Sequence, residues 1–273
     1  MIDPVLYSFN AFQIRIFGCL VAFGLLLDYV LIRRNLREAK IRLSRDELLD
    51  WLIIVFLYGV IGGRCGYVLL HWGYYFGPSS RWYEFMAIWR GGLDLNSGLI
   101  FAFGALWLLN KDRKPYLEQI TDQIVPPLFL LLALARLGNF INGEYYGRVT
   151  EEITGYTYIY GPASKLFTAE LIHPLALYEV VLCLIGFLGL NVLRKGRFRN
   201  GMTTACALFW YSGMQLGAGV LREDGSQLFL MDESRLVGIV GLMISAGVIF
   251  GKRLYRKLPS PHEQFPSTRK WSV

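Results

Sequence analysis

The chain has 273 residues, 54% of them hydrophobic, a mean hydropathy of +0.38 and a formal net charge of +7. Only 18% of residues are charged, against roughly a quarter in soluble domains, which excludes an ordinary soluble fold and points to an integral membrane protein. The basic residues sit in short loops between apolar runs, which argues against nucleic acid as the partner for the positive charge.

The N-terminus, Met1-Ile2-Asp3-Pro4, has no basic n-region, so no cleaved signal peptide is expected. Seven apolar stretches follow, at 12–32, 51–70, 97–110, 120–138, 173–193, 202–221 and 236–251. Each approaches the roughly 20 residues that a spanning helix needs. No internal repeat is visible, so the repeat architecture of many transporters is not supported. Nineteen of the 28 basic residues fall in 33–45, 111–114, 194–199 and 252–270. Seven spans put all four segments on one side. The positive-inside rule makes that side cytoplasmic, with the N-terminus outside.

The sequence therefore predicts an all-α membrane fold in which residues 1–257 form a single seven-helix transmembrane domain. The long loops 71–96 and 139–172 then lie outside and form a small cap. The first carries interfacial aromatics (Trp72, Tyr74, Tyr75, Trp82, Trp89), and the second a group of tyrosines around Gly155 and Gly161. Residues 258–273, with Pro259, Pro261 and Pro266, read as a disordered cytoplasmic tail. Cys19, Cys65, Cys183 and Cys206 lie in apolar surroundings without CxxC or Cys/His spacing, as packed free thiols would. No metal is expected.

One stretch stands out, Arg136-Leu137-Gly138-Asn139-Phe140-Ile141-Asn142-Gly143-Glu144, continued by Gly147-Arg148. It places two arginines, two amides and a carboxylate at the end of an apolar run, where polar groups are costly unless they serve each other or a ligand. Arg64, between Gly63 and Cys65, poses the same problem. Both arginines need anionic partners. Those could be internal, such as Asp122 or Glu144. They could instead be the phosphate of a phospholipid headgroup, which a guanidinium meets bidentately. Arg15, Asp94, Asn96, His173, Tyr178, Glu179 and Arg222 are further polar residues assigned to the outer half of the bundle.

The stretch resembles the signature of the prolipoprotein diacylglyceryl transferase family. Further similarities lie in Ile14-Arg15-Ile16-Phe17-Gly18, in Gly62-Gly63-Arg64-Cys65-Gly66-Tyr67-Val68, and in Trp89-Arg90-Gly91-Gly92-Leu93 followed by Gly98-Leu99-Ile100. His173-Pro174 and Leu177-Tyr178-Glu179 complete them. The resemblance covers about residues 10–250. It implies a multi-pass enzyme of the bacterial plasma membrane that needs no cofactor and acts as a monomer. Its partners would be phosphatidylglycerol and the lipobox cysteine of a prolipoprotein signal peptide, which receives the diacylglyceryl group. Arg136 would hold the departing glycerol phosphate. Asn139, Asn142 and Glu144 would orient it, and Asp122, Gly147, Arg148, Arg64 and Arg222 would belong to the substrate site.

Several positions depart from that pattern. Asn96 stands where the family has histidine, Phe17 where it has tyrosine, Gln215 and Gly219 where it has Arg and Glu, and Ala176 where it has Gln. Asparagine cannot take a proton near neutral pH. Asp94 or His71 could supply the missing base; Asp94 could equally be a structural partner of an arginine, and His71 an interfacial residue. Two readings follow: an active transferase, or a divergent paralogue that binds phospholipid through the Arg136–Arg148 clamp without catalysis or with another acceptor.

Overall fold

The computed structural model describes residues 3–9, 12–77, 82–88, 91–109, 114–167, 170–196, 198, 200–223, 227–228 and 231–254. The tail at 258–273, the paired Trp89 and Arg90 and the basic residues Lys111, Arg113, Arg197 and Arg199 lie outside these.

Helices dominate. They are α1 (Ile16–Glu38), α2 (Arg45–Leu70), α3 (Trp72–Phe76), α4 (Leu95–Leu109), α5 (Lys114–Asn142), α6 (Gly161–Leu166), α7 (Leu175–Lys195), α8 (Met202–Leu221) and α9 (Glu233–Leu254). The fold is all-α as expected, with two small antiparallel hairpins beside the helices. One pairs β1 (Val5–Phe9) with β2 (Phe12–Arg15), and the other pairs β3 (Gln227–Leu228) with β4 (Met231–Asp232). The first expected span therefore begins at Ile16 rather than at residue 12. Phe12-Gln13-Ile14-Arg15 alternates apolar and polar with a period of two, the signature of a strand.

Five helices are long and apolar enough to cross a membrane: α1, α2, α5 from Leu117, α7, and α9 to Lys252. The other two expected spans are also helices, α4 with 15 residues and α8 with 20. Large apolar side chains face outward all along the bundle, among them Leu26, Ile100, Val192 and Phe250, each about two-thirds exposed or more. Lipid is the solvent that makes such a surface inexpensive. The protein is a membrane protein.

Close packing fixes the helix pairs. α1 lies on α5, where a Cβ on Gly24 would come 2.6 Å from Leu131 Cδ1. α2 crosses α4 at Gly59 and Gly63, a small-xxx-small pair. Here a Cβ on Gly98 would stand 2.9 Å from Gly59 O, and Asp94 N–H donates to Gly63 O at 2.9 Å. This crossing presents Asp94 and Asn96 at the start of α4. α9 lies on α8 through Gly238, where a Cβ would come 2.6 Å from Leu216 Cγ.

α5 runs through Pro126 and Pro127. Proline at 127 leaves the Gln123 carbonyl without its helical donor. Asn35 Nδ2 donates to that carbonyl at 3.0 Å across the α1–α5 contact, so the helix continues.

Residues 143–167 and 170–172 have a core of their own in Tyr146, Tyr158, Ala163 and Ile172, against which Phe140 packs. Isolated bridges pair Val149 and Tyr156 with Ile172, and Gly147 with Arg222. The four cysteines are free. Cys183 is buried and Cys206 half-buried, but Cys19 and Cys65 are exposed on the helix surface rather than packed inside.

Candidate active site

The site is built where α5 ends. Asn142 is the last helical residue and Gly143 follows with φ +66°. Gly143 N–H donates to Phe140 O at 3.1 Å and Glu144 N–H to Asn139 O at 2.9 Å, the paired bonds of a glycine-terminated helix. The Asn-Phe-Ile-Asn-Gly-Glu run is thus first a helix stop. It reverses the chain so that Tyr145, itself at φ +57°, folds back over the preceding turn.

Tyr145 covers Arg136. The guanidinium carbon lies 3.7 Å from the ring centroid, and that of Arg222 lies 4.5 Å from the same ring. Arg136 Nε meets Glu179 Oε2 at 2.5 Å, both side chains being buried, and Tyr145 Oη donates to Glu179 Oε1 at 2.7 Å. Burial pushes the Tyr145 phenol well above its ordinary range, with Arg136 pulling the other way, so it stays a neutral donor. Two cations, one carboxylate and one phenol therefore meet here, with Arg136, Glu179 and Tyr145 buried and Arg222 half-buried. Such a site suits an anion that can be stripped of water, a phosphate above all.

A second group adjoins the first. Asn96 Nδ2 donates to Glu233 Oε1 at 2.6 Å, while Tyr211 Oη and Gln215 Nε2 both donate to Asn96 Oδ1, at 2.8 and 2.9 Å. Asp94 caps α4, accepting Ser97 N–H at 2.6 Å. Arg222 joins the two groups, reaching from Tyr145 to Ser234 Oγ at 3.2 Å, next to Glu233. Arg235 Nε donates to Gly219 O at 2.6 Å. The replaced positions 96 and 215 thus bond to each other, and an arginine of α9 reaches the replaced position 219.

Other expected residues fall elsewhere. Asp122 caps the opposite end of the bundle. Its carboxylate accepts Gly201 N–H at 2.7 Å, Thr204 N–H at 2.8 Å and Thr204 Oγ1–H at 2.7 Å. Fourteen residues of helix, about 21 Å, separate it from Arg136. The expectation that it shares the half of the bundle that holds Arg136 is corrected, because the start of α8 needs an acceptor for its unpaired amides.

Arg64 is corrected too. Among the described residues its acceptors are backbone carbonyls: Nε donates to Phe85 O at 2.7 Å, Nη1 to Gly91 O and Gly92 O at 2.8 and 2.9 Å, and Nη2 to Glu84 O at 2.7 Å. The positive φ of Gly91 and Gly92 turns their carbonyls onto it. Arg64 fastens the segment before α4.

Arg148 is more than half exposed, 3.6 Å from Glu223, and takes no place in the buried cluster. Its backbone N–H bonds Leu221 O at 2.8 Å, and Gly147 N–H bonds His173 O at 3.0 Å, with no room for a Cβ at 147. Asn142 is buried, and its Oδ1 has no hydrogen-bond partner. Asn139 and Glu144 are half-buried and contribute their backbones to the helix stop.

His71 Nδ1 lies 2.9 Å from Tyr67 O, which can only accept, and its ring stacks on Tyr67 at 4.1 Å. His173 Nδ1 lies 3.2 Å from Tyr178 Oη. Phe17 packs on Gly138, and Ala176 packs in the cluster around Tyr145. Glu233, Gln215 as a partner of Asn96, and Tyr211 are the members that sequence reasoning missed. Only the carboxylates Asp232 and Glu233, ahead of the apolar run from Leu236, could have signalled them.

The sequence profile of the prolipoprotein diacylglyceryl transferase family matches residues 4–251. A phosphatidylglycerol–prolipoprotein diacylglyceryl transferase of Staphylococcus epidermidis is 30% identical over 270 residues, covering 93% of this chain and 90% of that protein. Its namesake in Staphylococcus aureus is 30% identical over 272 residues, with the same coverage.

Proposed function

Since the chain belongs to the prolipoprotein diacylglyceryl transferase family, we propose that it moves the diacylglyceryl group of phosphatidylglycerol to the lipobox cysteine thiol of a prolipoprotein. The setting is the outer face of a bacterial plasma membrane. The observation that carries this reading is the pair of guanidiniums, Arg136 and Arg222, set on one Tyr145 ring beside the buried Glu179 at the end of a spanning helix.

Chemically, the thiol sulfur attacks the glyceryl methylene next to the phosphate. A C–S bond forms, the C–O bond to phosphate breaks, and glycerol phosphate leaves with the bonding electrons. Charge builds on that phosphate, and Arg136 and Arg222 are fixed donors beside it. Glu179 and Tyr145 hold Arg136 in place, so little reorganisation is needed as the charge develops. The acyl chains would lie against the apolar helix surface. Asn139, Asn142, Glu144 and Gly147 belong to this proposal as the frame of the headgroup pocket; Asp122 and Arg148 do not.

The test uses purified full-length protein, phosphatidylglycerol and a lipobox peptide, with the thioether-linked diacylglyceryl peptide sought by mass spectrometry. Product is expected, and Arg136→Ala should abolish both turnover and phosphatidylglycerol binding. Binding without product would instead favour a phospholipid-binding paralogue, the reading to which the replacements at 96, 215 and 219 point.

A further inference from the structure

The end of α1 meets the start of α2 far from the Arg136 cluster. Asn35, near the end of α1, bonds Gln123 O, and thirteen residues of α5, about 20 Å, separate Gln123 from Arg136. The chain turns tightly between the two helices. Ile41 N–H donates to Leu36 O at 2.9 Å and Lys40 N–H to Arg37 O at 3.0 Å, with Lys40 in the left-handed region at φ +58°. Those are the paired bonds of a Schellman stop. The Ser44–Glu47 capping box then starts α2.

This turn borders a cavity of about 280 Å³, close to the roughly 300 Å³ at which small-molecule sites begin. Leu36 and Leu48, 3% and 2% exposed, give it an apolar wall. Arg33, half-buried, and Arg37 and Arg45, both exposed, also line it, and no acidic residue is among the described residues that do.

The carboxylates nearby are committed elsewhere. Glu38 takes Arg34 and Arg194, each at 2.9 Å, and Glu47 Oε2 accepts the Ser44 amide at 3.0 Å. Among the described residues, Arg33, Arg37 and Arg45 have no carboxylate partner. A charge bias between the two sides of a membrane accounts for arginines at this end of the bundle. It would be met equally by arginines that face water, and it does not gather three of them around one cavity. Like charges so placed repel, and an anion between them reverses the sign of that energy. Both α1 and α2 are long and apolar enough to cross a membrane, so the cavity at their joined ends lies at the level of the lipid headgroups.

We propose that this cavity binds phosphate, either in the headgroup of an anionic phospholipid or as the free ion. Guanidiniums meet phosphate oxygens bidentately, and the phosphate would tie α1 to α2 at their turn. The site is separate from the Arg136 cluster and does not depend on the transferase reading.

Native mass spectrometry of the purified full chain in detergent micelles tests this. The probes are dioleoylphosphatidic acid, dioleoylphosphatidylcholine and inorganic phosphate. Phosphatidic acid should be retained in a wild type and in Arg136→Ala alike, since the second site survives that change. Arg37→Gln or Arg45→Gln should weaken this retention about five-fold, and the triple change Arg33→Gln, Arg37→Gln and Arg45→Gln about 10²-fold. Should the triple variant not fold, the two single variants at exposed positions carry the test. Phosphatidylcholine, whose choline offsets its phosphate charge, should not compete. Displacement of the lipid by millimolar inorganic phosphate supports the site with the free ion as occupant, and retention against it supports the site with the phospholipid. Equal retention of phosphatidic acid by the wild type and the folded variants overturns the proposal, as does equal retention of phosphatidylcholine. Either result leaves the transferase reading untouched.

Discussion

Glu179 and Asp122 are both buried carboxylates, one on α7 and one on α5, yet their partners give them different work. Glu179 neutralises a guanidinium beside the anion site, and removing its charge strands Arg136. Glu179→Gln is expected to cost about 3–5 kcal/mol of stability and to lose phosphatidylglycerol binding, as read by unfolding in mixed micelles and by lipid binding. Asp122 accepts two amides and a hydroxyl at the start of α8. Asp122→Ala is expected to cost about 1–2 kcal/mol, the worth of a helix cap, with lipid binding unchanged. A loss of binding in Asp122→Ala would return that residue to the site. Arg136 was legible in the sequence because a guanidinium inside an apolar run demands an explanation. Its partner was not, since Glu179 lies on another helix. The fate of Arg64 was invisible for a different reason: backbone carbonyls leave no mark on a sequence, and they are what satisfies it.

At the scale of elements, apolar periodicity located every long helix, but the boundaries moved where local chemistry overrode it. α2 starts at Arg45 rather than residue 51 because Ser44 and Glu47 form a capping box. α5 extends from Lys114 through a proline pair that would ordinarily interrupt a helix. Its survival there depends on Asn35, whose amide takes the carbonyl that Pro127 frees. Asn35→Leu keeps the size and removes the donor, leaving that carbonyl unpaired in an apolar setting. A cost of about 1–3 kcal/mol is expected, measured as a lower unfolding midpoint in mixed micelles. Wild-type stability in the variant would mean that the carbonyl finds another donor. The β1–β2 hairpin escaped notice because its four-residue alternation merged with the apolar run that follows.

At the scale of the molecule, the number of crossings is decided by the two helices that length and hydropathy leave open. α4 spans only about 22 Å, less than the roughly 30 Å of hydrocarbon core, and α8 carries Ser212 and Gln215 toward its partners. The proposal that both cross draws on contacts at one end of the bundle. Arg194 at the end of α7 pairs with Glu38 at the end of α1 at 2.9 Å, and Lys252 near the end of α9 pairs with Glu118 near the start of α5 at 2.8 Å. Asp122 then ties the start of α8 to the same end. If α4 or α8 stopped short, the basic segments on either side of it would fall on opposite faces of the membrane. We therefore propose seven crossings, which would bring them together and leave the N-terminus outside. Single-cysteine variants, made after the four native cysteines are changed to serine, test this. Glu152→Cys should react with an impermeant maleimide in intact cells, and Arg37→Cys only after the membrane is opened. The reverse labelling would put the Arg136 cluster on the cytoplasmic face, where a thiol acceptor exported across the membrane could not meet it.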